Sequence, residues 1–565
     1  MRMGRALPVD WRQMAGSFHI ENFGCRAARA DGEAVGDRLC TAGHCAQTLS
    51  EAEVVIVNTC SVTAEADRAA RAYIRRTRRL NPTARIVVTG CYAQRAPEEL
   101  AAIEGVSAVV GNSHKALTPE IAAGMMTPLH GANFVPVAAL RAGANAAEQN
   151  SSQGLKPDLS LEPVAARLKS CPDTSFPSTK VFPQPLMSSP DTSCLPTESH
   201  ADSFGVLAES RADTSCLSTE SRFDTSCVSA KTIPQPSGPL ILADENFAHS
   251  FLAEAQLRPG QQTRPNLKIQ EGCGNHCSFC VIPLTRGPSR SLPFAAVLKQ
   301  VEGFVAAGGR ELVVSGINLG RWGRDLDAGG PRTLAGLVRA LLERTELARL
   351  RLSSIEPMDW DEELIGLMAE FGGRRLARHA HLPLQSGSDA VLRRMYRRYR
   401  PWHYAQKVEA LRKAAGPELT LGADVMAGFP GESDAEFEET LAFLRALPVG
   451  YLHLFPFSPR PSTPGWALHA AAPVSSNVVE ERMQALRALG QEKMAEHRAQ
   501  FVGRRLKAIT LHTPLAIAAR GGTEALTDNF LPVELEAQRE ANELIQVRVT
   551  ELDAELKLLA ETADD

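Results

Sequence analysis

The sequence predicts an α/β protein in three ordered parts: an N-terminal α/β domain with a parallel sheet, a central partial (β/α) barrel, and a small C-terminal β-barrel. Three observations predict it. Short β-branched runs alternate with charged helical stretches on both sides of a compositional break. That break, at residues 139–239, is rich in Ser, Thr, Pro and Asp and poor in aromatics, and from about residue 501 the pattern shortens into strands and turns. The expected segments are 16–138, the insertion 139–239, the barrel 240–495 and the tail 496–565, since 565 residues exceed what one core organises.

The elements follow in order. Phe18, His19 and Ile20 open a strand, residues 54–57 (Val-Val-Ile-Val) and 86–88 (Ile-Val-Val) form two more, and Ala64–Leu80 between them reads as a charged helix. Strand, helix, strand in that order is the sign of a parallel sheet. In the break, Asp191, Asp202, Asp213 and Asp224 open degenerate copies of one unit, and its composition is expected to leave it disordered. Deleting residues 145–236 is therefore expected to leave the rest of the protein working. Beyond it, strand-like runs at 267–270, 312–314, 350–352 and 419–425 alternate with helical patterns at 334–342 and 362–369, which fits a (β/α) barrel. Runs at 507–511, 531–535 and 544–549 suggest the closing β-barrel.

Composition narrows the function classes. No window approaches the roughly 18 unbroken apolar residues of a membrane span, and residues 1–14 mix Arg2, Arg5, Asp10 and Arg12 with no apolar segment for secretion. A cytoplasmic protein with no membrane partner is expected. A net charge of −4 gives no whole-molecule attraction to nucleic acid, so RNA contact requires local basic surfaces. Twelve cysteines in a reducing compartment point to metal or redox chemistry rather than disulfides.

Spacing separates those cysteines. Cys273, Cys277 and Cys280 stand in a Cys-x3-Cys-x2-Cys loop directly after a strand, where three thiolates can each reach one iron of a cubane cluster and leave the fourth iron open. A zinc knuckle is the alternative, but it needs a fourth ligand, and His276 sits awkwardly inside the loop. An open iron can chelate the amino and carboxylate groups of S-adenosylmethionine, whose radical chemistry the protein then orients. Cys25, Cys60 and Cys91 each end a predicted strand, and the carboxyl ends of parallel strands share one crevice, so a second trio is expected; three inert buried thiols are the bland alternative. Cys171, Cys194, Cys216 and Cys227 follow from the repeat, and Cys40 and Cys45 miss the strand ends, so none of the six is expected to bind metal.

These residues carry a resemblance. Gly24-Cys25, Asn58-Thr59-Cys60, Thr89-Gly90-Cys91, the 273–280 loop, Ser353 to Pro357, Leu382 to Asp389, Gly428 to Glu432 and Ser458 to Pro464 together resemble the radical S-adenosylmethionine methylthiotransferases, and the tail around residues 526–531 resembles that family's RNA-binding TRAM domain. The resemblance implies two 4Fe-4S clusters, a radical-generating one on Cys273, Cys277 and Cys280 and a sulfur-carrying one on Cys25, Cys60 and Cys91. It implies S-adenosylmethionine contacts from Gly316, Ser353, Glu356 and Gln385, with two molecules used per turnover. The implied partners are the anticodon stem-loop of tRNA and an electron donor such as a flavodoxin or ferredoxin, with the chain a monomer. The branch acting on N6-threonylcarbamoyladenosine is the most similar; branches acting on isopentenyl-adenosine or on a ribosomal-protein aspartate, and a non-catalytic RNA-binding iron–sulfur protein, are the alternatives. The sequence departs from the family where Ala28 and Arg29 replace a polar Asn-Gln pair, although the following acidic residue, Asp31, is in place.

Two basic runs offer RNA surfaces: residues 75–79, and residues 393–400, where Tyr396 and Tyr399 interleave with arginines and could stack on bases. Each reads equally as a solvated helix face. The glycines of 316–320 and 428–431 fit close backbone approach to a cofactor or ordinary strand-end turns.

Overall fold

Strand β3 (Val54–Thr59) is buried along its whole length, because its alternate residues feed two different cores. Val54 and Ile56 pack with Phe18, Val87 and Ala108 on one face, while Val55 and Val57 pack with Ile74, Ile86 and Val88 on the other. Around it stand β1 (Ser17–Asn22), β2 (Cys45–Ala46), β4 (Arg85–Gly90), β5 (Val106–Gly111) and β6 (Leu240–Leu242), in the order β2-β1-β3-β4-β5-β6, every neighbouring pair parallel. This computed structural model describes residues 16–126, 238–247, 250, 257, 263–327 and 329–563. The expectation of disorder for 139–239 falls, apart from Gly238 and Pro239, outside the described residues.

Strand β6 departs from the expected segmentation, which began the barrel at residue 240. Leu240, Ile241 and Leu242 instead pair with Ala108, Val109 and Val110 and close the first sheet. A short apolar run satisfies the open edge of β5, a tertiary opportunity that local pattern does not register.

The second domain carries β7 (Asn266–Glu271), β8 (Arg290–Ser291), β9 (Glu311–Gly316) and β10 (Arg349–Leu352) in one sheet, ordered β10-β9-β7-β8. A second sheet holds β11 (His379–Gln385), β12 (Thr420–Ala427) and β13 (Tyr451–Pro456) in sequence order. All pairs are parallel except the two-residue β8. Leu350 links the sheets, donating to the Arg375 carbonyl at 2.8 Å and accepting from the Ala377 amide at 2.9 Å. The result is a partial barrel, with one large core that includes Ile269, Val314, Leu352, Leu382 and Val425. Helix Ser476–Ala499 packs on β13 and runs past the expected boundary at residue 495.

Five strands close the C-terminal barrel: β14 (Arg505–Thr510), β15 (Thr523–Thr527), β16 (Pro532–Leu535), β17 (Leu544–Leu552) and β18 (Leu558–Thr562), in the order β14-β15-β16-β18-β17. Closure leaves no open edge, and the interior is filled by Leu506, Val533, Val547 and their neighbours. Its 527–530 turn docks on the partial barrel. Arg378 forks the Asp528 carboxylate at 2.7 and 3.0 Å, Arg351 donates to the Thr527 carbonyl at 3.0 Å, and Asn529 donates to the Glu418 carbonyl at 3.0 Å. No described helix is long and apolar enough to cross a membrane.

Candidate active site

The first trio sits where three parallel strands end. Cys25 follows β1 and precedes helix Arg26–Thr41, Cys60 follows β3, and Cys91 opens helix Cys91–Arg95 after β4. Gly24 lies at φ 105°, and a Cβ there would stand 2.6 Å from the Cys60 Cβ and 2.8 Å from its Sγ. A side chain at 24 would push the loop bearing Cys25 away from Cys60, so glycine is what permits the approach. Cys60 and Cys91 are buried and Cys25 is exposed. Burial, reinforced by Cys91 and Cys25, pushes the Cys60 thiol up to about 12. Cys91 Sγ accepts from Asn112 Nδ2 at 3.4 Å and Arg286 Nε at 3.2 Å.

The second trio lies in the loop beyond the carboxyl end of β7. All three thiols are half-buried, and burial together with Cys277 and Cys273 pushes Cys280 up to about 12. Donors again face sulfur: the Asn275 amide at 3.4 Å and Asn318 Nδ2 at 3.5 Å to Cys273, and Arg397 Nη1 at 3.2 Å to Cys277. Each trio thus sets thiols beside one another while donors await negative sulfur. Three soft donors grouped in this way fit an iron–sulfur cluster, whose iron displaces the protons.

One cavity of about 500 Å³ joins the trios, for both Cys25 and Cys280 are on its wall. Gly316, Ser353 and Gln385 line the same cavity. Gln385 lies at φ 70° where the β11–β12 register shifts, and its buried Oε1 has no hydrogen-bond partner, a strained polar position of the kind found where a ligand binds. Glu356 lies elsewhere. It accepts from Arg397 Nη2 at 2.5 Å in a separate pocket of about 20 Å³ that Cys277 also lines. Cys40 is exposed and Cys45 half-buried, while the four cysteines of the repeat lie outside the described residues.

Several residues around the site escaped the sequence reading, which names Asp31 alone among them. Asp31, Lys115, Lys268, Glu271 and Arg286 form a buried charge cluster between the first sheet and β7. Lys115 Nζ meets Asp31 at 2.7 Å and Glu271 at 3.2 Å, Arg286 Nη1 meets Glu271 at 2.7 Å and Asp31 at 3.2 Å, and Lys268 reaches both carboxylates. Burial opposes both acids, but Arg286, Lys115 and Lys268 outweigh it for Glu271, holding its carboxyl well below the usual range. Burial likewise opposes the Arg286 charge, yet Cys91, Glu271 and Asp31 raise its pKa well above normal. On the cavity wall, His381, Asp424 and His453 come together from three adjacent strands, each histidine 3.3 Å from Asp424. No local signal marks these groups, because strand pairing and domain packing bring them together.

The basic run at 393–400 divides between buried and exposed residues. Arg394 pairs with Glu436, Arg400 with Asp389, and Arg397 and Tyr399 are buried, with Tyr399 donating to the Leu384 carbonyl at 2.7 Å. Tyr396 remains exposed. The run serves chiefly to hold the second trio, since packing turns Arg397, in the connection between helices Asp389–Arg394 and Pro401–Ala415, onto Cys277. In the 75–79 run, Arg75, Arg76 and Arg79 face solvent. The 458–464 motif is also structural: Arg460 Nη1 reaches Asp67 at 2.6 Å, and Ser458 Oγ accepts from the Ala64 amide at 3.0 Å, clamping helix Ala64–Leu80.

A partial barrel of parallel strands with a Cys-x3-Cys-x2-Cys loop at its carboxyl edge, facing a second cysteine trio across one cavity, defines a two-cluster radical S-adenosylmethionine protein. Residues 17–111 match the Uncharacterized protein family UPF0004, and residues 267–444 match the Radical SAM superfamily. The chain is 28% identical to "Threonylcarbamoyladenosine tRNA methylthiotransferase MtaB" of Aquifex aeolicus over 94% of this chain and 99% of that one. It is 40% identical to a "tRNA-2-methylthio-N(6)-dimethylallyladenosine synthase" of Cereibacter sphaeroides, over 42% of this chain and 52% of that one. Among solved structures, the radical S-adenosylmethionine methyltransferase TsrM of Kitasatospora setae overlays with a TM-score of 0.43 and 14% identity, over 80% of this chain and 77% of that one. The two matched domains and the near full-length similarity to proteins named MtaB support the radical S-adenosylmethionine methylthiotransferase family, MtaB type, for this chain.

Proposed function

We infer that the protein converts N6-threonylcarbamoyladenosine, 3′ of the anticodon in tRNA, to its 2-methylthio derivative. The observation that carries this reading is that Cys25 and Cys280, one from each trio, lie on the wall of one cavity. A volume of about 500 Å³ suits a nucleoside beside a cofactor. When bound, two 4Fe-4S clusters and S-adenosylmethionine supply one-electron reduction of the sulfonium and a transferable sulfur.

The chain's own residues hold and orient. Cys273, Cys277 and Cys280 hold one cluster and Cys25, Cys60 and Cys91 the other. Asn318, Arg397, Asn112 and Arg286 donate to their sulfurs, which stabilises negative charge on them. Gly316, Ser353 and Gln385 meet S-adenosylmethionine from the cavity wall, and Glu356 acts on that site through Arg397. The C-terminal barrel and the exposed arginines of the 75–79 run offer surfaces for the anticodon stem-loop. A flavodoxin or ferredoxin delivers electrons, and the chain acts as a monomer in the cytoplasm.

The full-length resemblance to proteins named for threonylcarbamoyladenosine favours that substrate over the dimethylallyl one, whose relatives match a shorter stretch. Nucleoside mass spectrometry of tRNA from cells lacking the gene tests the reading. Loss of the methylthio mark from threonylcarbamoyladenosine alone is expected; loss from isopentenyl-adenosine instead overturns it.

A further inference from the structure

The cavity wall carries a cation with no acid to neutralise it. Arg26 begins the helix after Cys25 and lines the cavity. Among the described residues it forms no ion pair, and its guanidinium carbon lies 5.8 Å from the centre of the Phe530 ring. Neighbouring arginines differ. Arg264 and Arg351 meet Glu311 at 3.7 and 2.8 Å, Arg286 meets Glu271 and Asp31, and Arg397 meets Glu356. Among the described residues that line the cavity, the one carboxylate, Asp424, is engaged by His381 and His453.

The two adenosine substrates of the family's tRNA branches differ in the chemistry they bring to such a wall. An isopentenyl group is a hydrocarbon, and seating it beside an unpaired guanidinium would strip water from the charge with nothing in return. A threonylcarbamoyl group ends in a carboxylate, which a guanidinium can bind through two parallel hydrogen bonds. The position also suits the reaction, since Arg26 is covalently next to Cys25 and shares the cavity with Cys280.

We propose that Arg26 is a specificity-determining residue that grips the threonyl carboxylate on the adenine N6 and so seats the base between the two cysteine trios. The proposal rests on the function read above. Grip at this point discriminates by charge: the acid is bound, and a neutral analogue of the same size is not.

The test compares three anticodon stem-loop RNAs: one with threonylcarbamoyladenosine, one with the same nucleoside as its methyl ester, and one with isopentenyl-adenosine. Fluorescence anisotropy at one fixed salt concentration measures binding to the full-length, anaerobically reconstituted protein and to its Arg26→Gln and Arg26→Lys variants, because backbone contacts are then shared by all three RNAs. The wild type is expected to prefer the acid over the ester on the order of 10- to 100-fold, the range of one charge-assisted contact. Arg26→Gln binds acid and ester alike, Arg26→Lys keeps part of the preference, and both hold wild-type iron with unchanged electron paramagnetic resonance signals. An Arg26→Gln variant that still prefers the acid as strongly as wild type overturns the role of Arg26 alone, leaving the substrate in place. Iron loss in that variant overturns it too, by assigning Arg26 to the cluster. A wild type that prefers the isopentenyl RNA overturns the substrate reading itself.

Discussion

Replacing Glu271 by glutamine tests the buried charge cluster that joins the first sheet to the partial barrel. The substitution keeps the volume and removes the charge. Glu271 is fully buried and meets Arg286 at 2.7 Å, Lys268 at 2.5 Å and Lys115 at 3.2 Å, so its loss removes one of the cluster's two acids from among three cations. The cluster's formal charge rises from +1 to +2 in a buried interface. Breaking a buried ion pair by removing one partner costs about 3–5 kcal/mol, because the remaining charge is uncompensated. Denaturant unfolding of the iron-free protein, followed by far-ultraviolet circular dichroism and by hydrogen exchange at β7 and helix Arg26–Thr41, should show that loss at this interface. Adding Lys115→Met to Glu271→Gln returns the formal charge to +1 and should recover part of it. The acid limb gives a second check. Glu271 titrates well below the ordinary 4.5, so the stability it confers is present above that pH and lost as pH falls through its lower folded value. The Glu271→Gln variant should lack this part of the acid sensitivity. A single variant within about 1 kcal/mol of wild type, or a double variant no more stable than the single, would refute the charge argument.

Three further outcomes are expected. Cys60→Ala or Cys91→Ala should lower reconstituted iron from about eight atoms to about four per chain while leaving the signal of the 273–280 cluster; loss of both clusters would contradict two separate trios. His497, whose Nε2 lies 2.8 Å from Thr420 Oγ1, is pulled down to about 4 by burial and by Arg498 and Arg412. Its native pKa is the lower one, so stability should fall as pH drops from about 6.5 to about 4, by roughly 3 kcal/mol in total, and a His497→Gln variant should flatten that slope in thermal melts. Asp528→Ala removes the carboxylate forked by Arg378 and should weaken docking of the C-terminal barrel by on the order of 2 kcal/mol, seen as faster hydrogen exchange in the 527–530 turn with the β14–β18 ladder still protected.

Local pattern is enough wherever a residue's neighbours in sequence are also its partners in space. The helix Ala64–Leu80 falls where its periodicity places it, and β3, β4, β9 and β10 lie on their β-branched or leucine-rich runs, each extended by one to three residues. The Cys-x3-Cys-x2-Cys loop is legible for the same reason, since eight consecutive residues carry a whole trio. The other trio is legible at one remove, because parallel strands put their carboxyl ends on one side.

What stayed hidden depends on contacts between distant segments. Leu240–Leu242 reads as part of the second domain and pairs with the first, because an unsatisfied strand edge attracts it across the insertion. Arg286 and Asp31 are 255 residues apart, and nothing near either one signals a buried ion cluster. Arg397 reads as one cation in a basic run, and only packing turns it onto Cys277 and Glu356. The sequence by itself determined most strands and helices and singled out the six thiols that form the two trios, since periodicity and spacing are local quantities. Tertiary structure alone decided which charges face those thiols and that Arg26, on the cavity wall, meets no acid among the described residues, because burial and pairing are set by how the domains close on one another.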